Sequence, residues 1–252
     1  MDKQNKKILV TGGHLTPAIA VVNELKKRGY INFVWVGHKF NQAGLSTPSA
    51  EFNTVSELNI PFYNLKTGKL IRDWSLSTFT YGVKNLLFIL MGFLSAFKII
   101  FKEKPDIVVS FGGYLALPVV FAAFVKGSKI VTHEQTIVTG LANKLISKFA
   151  DKIFVSWESS IKYFNSKKVI FTGNPIRSEV FEVNDNSLIE QIDSQLPTIL
   201  VYGGNQGAHE INKRIFEILN DLLNDFNVIH QTGSSNVTKD NEQALHIKSS
   251  LN

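Results

Sequence analysis

Short apolar runs alternate with amphipathic stretches along most of the chain, a pattern that predicts strands followed by helices. The predicted strands are residues 8–10, 33–37, 60–63, 105–111, 129–132, 152–155, 168–171, 197–202 and 227–230. The predicted helices are residues 17–29, 85–97, 118–125, 139–149 and 208–223. Continuous apolar strands such as residues 105–111 are typical of parallel sheets that are covered on both faces. The pattern therefore predicts an α/β fold built on a parallel sheet.

The first predicted strand leads into a glycine turn that contains Gly12, Gly13 and His14. We expect Thr16 to cap the following helix and Pro17 to occupy its first position. The N–H groups of such a turn and the positive end of the helix point to one place, where a phosphate or diphosphate can bind without a metal. A plain connection between a strand and a helix is the alternative interpretation.

Other strands also end in glycine-rich or polar segments. These segments are residues 112–114, 133–135, 173–177 and 203–207. Ligands of open α/β sheets bind outside the carboxyl ends of the strands. The segments are therefore candidates for one binding cleft.

The most apolar segment, residues 85–97, contains no charged residue and is followed by Lys98, Lys102 and Lys104, with Lys84 before it. A membrane-spanning helix needs about 20 apolar residues, so we do not expect this shorter segment to span. Two interpretations remain. The segment is either a helix buried on all sides, or one whose apolar face enters a bilayer surface while the lysines meet anionic headgroups.

Composition narrows the class of protein. The 252 residues, 44% of them apolar, are enough for one large domain or two modest ones. A net charge of +6 fits an anionic partner, and the absence of an arginine-rich tract argues against nucleic acid. The chain has no cysteine, which excludes disulfides and thiolate metal sites and favours a reducing cytoplasmic compartment. The amino terminus lacks the apolar length and cleavage site of a signal peptide.

Common catalytic motifs are missing. The sequence contains no D-x-D, G-x-S-x-G, H-E-x-x-H or Walker A pattern, and the first glycine turn lacks the third glycine of a dinucleotide fingerprint. We therefore expect neither a metal nor a cofactor.

Five motifs, taken in order, resemble those of the MurG glycosyltransferase family, which transfers N-acetylglucosamine from UDP-GlcNAc to lipid I in peptidoglycan synthesis. The motifs are TGGHLTPAIAV at residues 11–21, SFGGYLALP at 110–118, HEQTIVTGLANKLISKFAD at 133–151, TGNPIR at 172–177 and YGGNQGAHEIN at 202–212. A single short glycine motif recurs by chance, whereas five in the same order are specific.

The resemblance implies a two-domain fold of the GT-B type, with Rossmann-like domains at residues 1–173 and 174–252. The first domain would bind lipid I beside the membrane, and the second would bind UDP-GlcNAc. The implied reaction is a metal-independent transfer to the C4 hydroxyl of the muramoyl sugar, with inversion, which forms lipid II. The implied location is the cytoplasmic face of the bacterial plasma membrane, with residues 85–97 as an interfacial helix.

His14 is the candidate general base, because an unperturbed histidine titrates near pH 6.5. We expect the backbone N–H groups of residues 11–13 to hold a diphosphate. The residues that the resemblance implies as substrate contacts are Thr11, Gly12, Gly13, Gly112, Gly113, Tyr114, Glu134, Gln135, Thr136, Asn143, Arg177, Gly204, Asn205, Gln206 and Gly207. Arg177 and Asn205 would contact the donor. For Glu134, a buried pair with a lysine or the backbone is the alternative.

The chain departs from the family pattern in several places. Its first loop is shorter than the usual GGTGGH form, Thr136 stands where an asparagine is usual, and Asn205 replaces a serine. The family's donor domain also continues past residue 252, and two strands with one or two helices are too few for a core of their own. We therefore expect a truncated form with impaired donor binding. The alternatives are a non-catalytic membrane-docking subunit, which needs a separate chain for the donor domain, and a generic nucleotide-binding protein.

Overall fold

The fold is taken from a computed structural model that describes residues 3–40, 48–68, 79–182, 192, 195–203 and 209–232. The strands are β1 (Ile8–Thr11), β2 (Phe33–Gly37), β3 (Phe62–Asn64), β4 (Ile107–Ser110), β5 (Lys129–Glu134), β6 (Lys152–Val155), β7 (Val169–Phe171), β8 (Thr198–Tyr202) and β9 (Asn227–Gln231). The helices are α1 (Leu15–Lys27), α2 (Ala50–Glu57), α3 (Phe79–Glu103), α4 (Ala116–Lys126), α5 (Leu141–Phe149) and α6 (His209–Asp225).

Seven strands form one parallel sheet in the order β3-β2-β1-β4-β5-β6-β7. The chain first builds the sheet outward from β1 to β3 and then returns to the other side of β1 with β4. Thr11, the last residue of β1, lies between Val36 of β2 and Ser110 of β4. The reversal opens a crevice at the carboxyl ends of β1 and β4, the position where open α/β sheets bind ligands. The predicted α/β architecture is confirmed.

Side chains of the sheet alternate between two apolar layers. Val10 and Trp35 pack with residues of α1 and α2 on one face. Leu9 and Val36 pack on the other face with residues of α3, α4 and α5. The sheet is therefore covered on both sides, which explains the continuous apolar runs of β1 and β4 before their last residues.

Contacts divide the chain into two units, Met1–Val180 and Phe181–Asn252. In the second unit β8 and β9 pair in parallel. Oδ1 of Asn212 in α6 accepts a hydrogen bond from Nε2 of buried His230 at 3.0 Å, and its amide donates to the carbonyl of Thr232 at 2.8 Å. His230 is thus a core histidine. The predicted domain boundary between residues 173 and 174 stays a prediction.

Helix α1 begins earlier than predicted. His14, not Thr16, is the capping residue, and its side chain makes no capping hydrogen bond to the helix. The short glycine turn lets the helix start at once, so Thr16 and Pro17 lie within the first turn. Proline is tolerated there because N–H groups of the first turn have no partner within the helix.

Helix α2 lies between β2 and β3, where the hydrophobic pattern predicts no helix. It is capped by Ser49, whose hydroxyl accepts from the N–H of Phe52 at 3.1 Å. Val55 is its buried side chain. A helix with so small an apolar face carries little periodic signal, and this is why the hydrophobic pattern missed it.

Helix α3 is longer than the apolar segment 85–97 and continues to Glu103. Ala96, Ile99 and Ile100 are buried against the sheet layer. Other apolar side chains of the helix are exposed: Leu86, Leu87, Phe88, Leu90, Met91, Leu94 and Phe101. A helix buried on all sides is therefore excluded, because one face of α3 is core and the other is open.

Candidate functional site

Two glycine turns meet at the carboxyl ends of β1 and β4. Gly13 has a φ of 134°, and a Cβ atom at this position would lie 2.6 Å from the carbonyl oxygen of Gly112. Gly112 has a φ of 79°, and a Cβ there would lie 2.7 Å from the amide of Asn143. Both positions therefore need glycine for backbone conformation and for space. The predicted partnership of the two turns has a direct structural basis.

His14 joins the two turns. Its Nδ1 lies 3.0 Å from the carbonyl oxygen of Phe111, the residue before the second glycine turn. A carbonyl oxygen only accepts hydrogen bonds, so the proton of the neutral imidazole is assigned to Nδ1. Nε2 of this exposed side chain is then the basic nitrogen. This tautomer is the one that a general base needs.

The predicted anion cradle needs one correction. The N–H of Gly12 donates to the carbonyl of Val36 at 2.8 Å and extends the sheet, so it does not point to a ligand. Thr11 is fully buried within β1. The N–H groups that remain for an anion belong to Gly13 and to Leu15 and Thr16 in the first turn of α1, where helix geometry provides no partner.

The HEQ segment forms a closed network beside the second glycine turn. Glu134, only 3% exposed, accepts from the N–H and hydroxyl of Thr136 on one oxygen, at 3.0 and 2.7 Å, and from the amide of Asn143 on the other, at 2.9 Å. Asn143 in turn packs against Gly112. Glu134 therefore supports the backbone of its own segment, in line with the alternative predicted for it. The predicted substrate contacts of Glu134, Thr136 and Asn143 stay predictions.

His133 connects this segment to the TGNPIR motif. Its Nε2 lies 3.2 Å from the carbonyl oxygen of Gly173, and its Nδ1 lies 3.0 Å from the amide nitrogen of Gln135. Burial lowers the pKa of His133, opposed by its hydrogen bond to Gly173, and the nearby charge of His14 lowers it further. The neutral imidazole is therefore favoured, with Nε2 as the donor to the carbonyl.

His38 and Glu51 are two polar residues near Tyr114 of the second glycine turn that no sequence motif identifies. The Tyr114 hydroxyl is 2.8 Å from Nε2 of His38, which follows β2. Glu51 of α2 accepts hydrogen bonds from Nε1 of Trp35 and the N–H of His38, at 2.8 and 3.0 Å. Burial raises the pKa of Glu51, while these two hydrogen bonds lower it. Burial, together with the charge of Glu51, raises the pKa of Tyr114.

A sequence signal for Glu51 did exist. Ser49 followed by an acidic residue in the next turn is a typical start of a helix, and Glu51 is the acidic residue in the first turn of α2. The signal predicts the helix, but the carboxylate's partners depend on the fold.

The remaining predicted site residues lie elsewhere. Arg177 is exposed and borders a surface pocket with Pro175, Ser178 and residues of α1 such as Glu24 and Arg28. The predicted donor-loop residues Gly204, Asn205, Gln206 and Gly207 lie outside the described residues. Their predicted donor contacts stay predictions.

No group of three or more His, Cys, Asp or Glu side chains within the described ranges could hold a metal ion.

The exposed face of α3 is an apolar surface of the unit Met1–Val180. Residues Asn85–Glu103 are long and apolar enough to cross a membrane by length and composition, with a mean hydropathy of 1.7. Core helices of soluble proteins meet the same criterion. Phe93 and Phe97 make edge-on contacts with Phe121 of α4, at ring distances of 5.7 and 6.1 Å. These contacts tie α3 to the sheet through α4.

Comparison with known sequences identifies two domain families. The profile of the glycosyltransferase family 28 N-terminal domain matches residues 11–155, more than half of the chain, and that of the family's C-terminal domain matches residues 198–251. A curated relative from Clostridium tetani is 35% identical over 240 residues, and one from Clostridium botulinum strain Langeland is 36% identical over 243 residues. Both are named UDP-N-acetylglucosamine--N-acetylmuramyl-(pentapeptide) pyrophosphoryl-undecaprenol N-acetylglucosamine transferase. The matches cover 93% and 94% of this chain but 63% and 65% of those relatives.

Solved structures share the fold. The crystal structure of Acinetobacter baumannii MurG aligns with a TM-score of 0.56 at 24% identity, over 96% of this chain and 62% of that chain. The UDP-GlcNAc 2-epimerase of Neisseria meningitidis aligns with a TM-score of 0.56 at 18% identity, over 98% of this chain and 70% of that chain. The predicted GT-B architecture and the predicted resemblance are confirmed.

Proposed function

Because this chain belongs to glycosyltransferase family 28, we propose that it carries the acceptor site of a transferase that moves N-acetylglucosamine from UDP-GlcNAc to lipid I. The curated relatives at about 35% identity carry this activity in their name. The chain spans 63% of the length of the Clostridium tetani relative. The described residues of the proposed acceptor site belong to the unit Met1–Val180.

The observation that carries the proposal is the hydrogen bond between His14 Nδ1 and the carbonyl of Phe111. It holds the imidazole where the two glycine turns meet and leaves Nε2 to accept a proton. The C4 hydroxyl of the muramoyl sugar would give its proton to Nε2 as its oxygen bonds to the anomeric carbon of N-acetylglucosamine. The bond from that carbon to UDP breaks on the opposite side, which inverts the configuration.

The same turn would bind the diphosphate of the acceptor. The N–H of Gly13 and those of the first turn of α1 supply donors, and the positive end of the 13-residue helix α1 adds a favourable field. Tyr114 of the second turn would border the same group. These preorganised donors need no metal to hold an anion.

The donor contacts in this proposal come from the family pattern. The motif at residues 203–207 and Arg177 match the family pattern at the positions that contact UDP-GlcNAc. An exposed guanidinium is well suited to bind a phosphate.

The exposed face of α3 would rest in the cytoplasmic surface of the plasma membrane as a peripheral anchor. Its apolar residues are exposed to solvent, with Leu94 at 72%. Lys98, Lys102 and Lys104 are exposed on or next to the same helix. An apolar face flanked by cations is the pattern of a helix that lies in an anionic membrane interface. Such an anchor would keep the glycine turns near a lipid-linked acceptor.

A chimera tests the transfer itself. The C-terminal part of a curated relative would continue this chain past residue 252, and lipid I with labelled UDP-GlcNAc would be the substrates. We expect label in the lipid product, with inverted anomeric configuration, and none when either substrate is omitted. A chimera that folds and binds both substrates but transfers nothing, or that retains the configuration, would contradict the proposal.

A further inference from the structure

Glu51 belongs to none of the motifs in the sequence, yet its carboxylate lies next to the first glycine turn. It lies beside the carboxyl ends of β1 and β2, next to the glycine turn, although it belongs to α2 on the sheet's flank. A Cβ atom at Gly12 would overlap its Oε1, and one at Gly37 would also come too close to the carboxylate. Glycine at both strand ends therefore makes room for this side chain.

Glu51 accepts hydrogen bonds from two residues at and just after the end of β2. Oε1 accepts from the indole N–H of Trp35, a fully buried residue of β2, at 2.8 Å. Oε2 accepts from the N–H of His38 at 3.0 Å. The carboxylate thus joins the end of β2 to α2 and rests against the start of the first glycine turn.

His38 extends this connection to the second glycine turn. Its backbone is held by Glu51, while its ring contacts Tyr114 through the 2.8 Å bond to the hydroxyl and through a tilted ring contact at 5.5 Å. Tyr114 follows Gly112 and Gly113. A single carboxylate therefore touches the first turn directly and reaches the second through one side chain.

We propose that Glu51 is a positioning residue for the acceptor site, which holds the two glycine turns in one geometry through Gly12 on one side and His38 and Tyr114 on the other. The inference rests on the proposed function for the identity of the acceptor. It assigns Glu51 no contact with substrate and no proton transfer. Its effect is on the orientation of Tyr114 and of the N–H groups of the first turn.

Glu51→Gln is the variant that tests this role, because an amide keeps the size but has one oxygen and can accept from only one of the two donors. Glu57→Gln is the matched control, since Glu57 is an exposed residue of the same helix and the change removes the same charge. Hydrogen exchange of the 252-residue chain, without any ligand, gives the first measurement. Peptides over residues 8–15, 33–39 and 109–117 report the first turn, the end of β2 and the second turn.

We expect Glu51→Gln to speed exchange in all three regions, by roughly tenfold, the effect of losing one hydrogen bond to a charged group. Glu57→Gln should leave all three unchanged. If Glu51 acted only on its immediate partners, hydrogen exchange would become faster in residues 33–39 alone. Unchanged exchange at residues 109–117 would therefore overturn the inference.

Acceptor binding gives the second measurement. Titration with a short-chain, water-soluble analogue of lipid I should show affinity about tenfold weaker for Glu51→Gln and unchanged for Glu57→Gln. Equal affinity for both variants would overturn the inference. Absence of binding by the unaltered chain would instead count against the proposed function, and the exchange experiment would still decide the role of Glu51. If Glu51→Gln does not fold, Glu51→Asp replaces it in both measurements. Aspartate is one methylene shorter, so its carboxylate lies farther from both donors, and the same criteria apply.

Discussion

At the scale of single residues, the imidazole of His14, the proposed base, is held by a backbone carbonyl. The carbonyl of Phe111 fixes its tautomer, and Phe111 lies directly before the second glycine turn. The two turns thus form one arrangement in which the spacing between β1 and β4 sets the position of the His14 imidazole.

Replacing His14 by alanine in the transfer-competent chimera should lower kcat by about 100-fold, because proton transfer by a positioned side chain contributes roughly that much. The KM for the acceptor should change far less, since the N–H groups of the turn remain. A rate within a few-fold of the unaltered chimera would reduce His14 to a structural role.

The sequence predicts the positions of some site residues in the fold but not those of others. His14 and the glycines at 12, 13, 112 and 113 lie in turns that directly follow apolar strands, so their place at the sheet edge was predictable. Glu51 carries no motif, and its partners Trp35 and His38 are adjacent only after the strands pair. The hydrogen bond from the Gly12 N–H to the Val36 carbonyl was likewise not predictable, because it depends on how far the pairing of β1 with β2 extends.

At the scale of elements, the sheet was the most predictable part. The run at residues 33–37 becomes β2 and the run at 152–155 becomes β6 without a shift of either end. Strand β2 is buried on both faces, and so its apolar run has sharp limits. Helix α2 was missed because Val55 is its one buried side chain, and the start of α1 was misplaced because no side chain caps it.

Helix α3 offers a prediction at this scale. Leu94→Glu places a charge on the exposed apolar face and should reduce binding to anionic lipid vesicles by roughly tenfold, because it removes an apolar side chain from the interface and adds repulsion. Ile31→Glu is the control, since Ile31 is an apolar residue 67% exposed outside α3. Vesicle sedimentation measures both. Equal binding by the two variants would show that α3 is not the anchor.

At the scale of the whole molecule, the two units need separate probes. All three tryptophans, Trp35, Trp74 and Trp157, belong to the unit Met1–Val180. Tryptophan fluorescence therefore follows the unfolding of the first unit alone, which permits a two-state treatment that the complete chain does not.

Acid should destabilise this first unit in part through His133. Burial lowers the pKa of His133 below its ordinary value of 6.5, so below that pH the unfolded chain takes up a proton more readily than the folded one. The contribution of His133 to stability is complete above about pH 6.5 and is lost as the pH falls toward its lowered pKa. Urea unfolding followed by tryptophan fluorescence at pH 7.5 and pH 5.5 should show a smaller pH effect in His133→Gln than in the unaltered chain. An identical pH effect in both would contradict this role of burial.

The central claim is that the two glycine turns bind a lipid-linked diphosphate sugar. Calorimetric titration of the 252-residue chain with the water-soluble analogue of lipid I tests it without the membrane and without the donor. Gly13→Ala is the diagnostic variant, because its Cβ would lie 2.6 Å from the carbonyl oxygen of Gly112 and force the turns apart. Gly29→Ala is its control, since Gly29 also has a positive φ, of 90°, but no atom lies within 4 Å of the added Cβ.

We predict saturable binding with one site per chain, weakened by about tenfold or more in Gly13→Ala, the effect of losing a charge-assisted hydrogen bond to the diphosphate, and retained in Gly29→Ala. No saturable binding by the unaltered chain, or equal affinity in Gly13→Ala and Gly29→Ala, would contradict the claim.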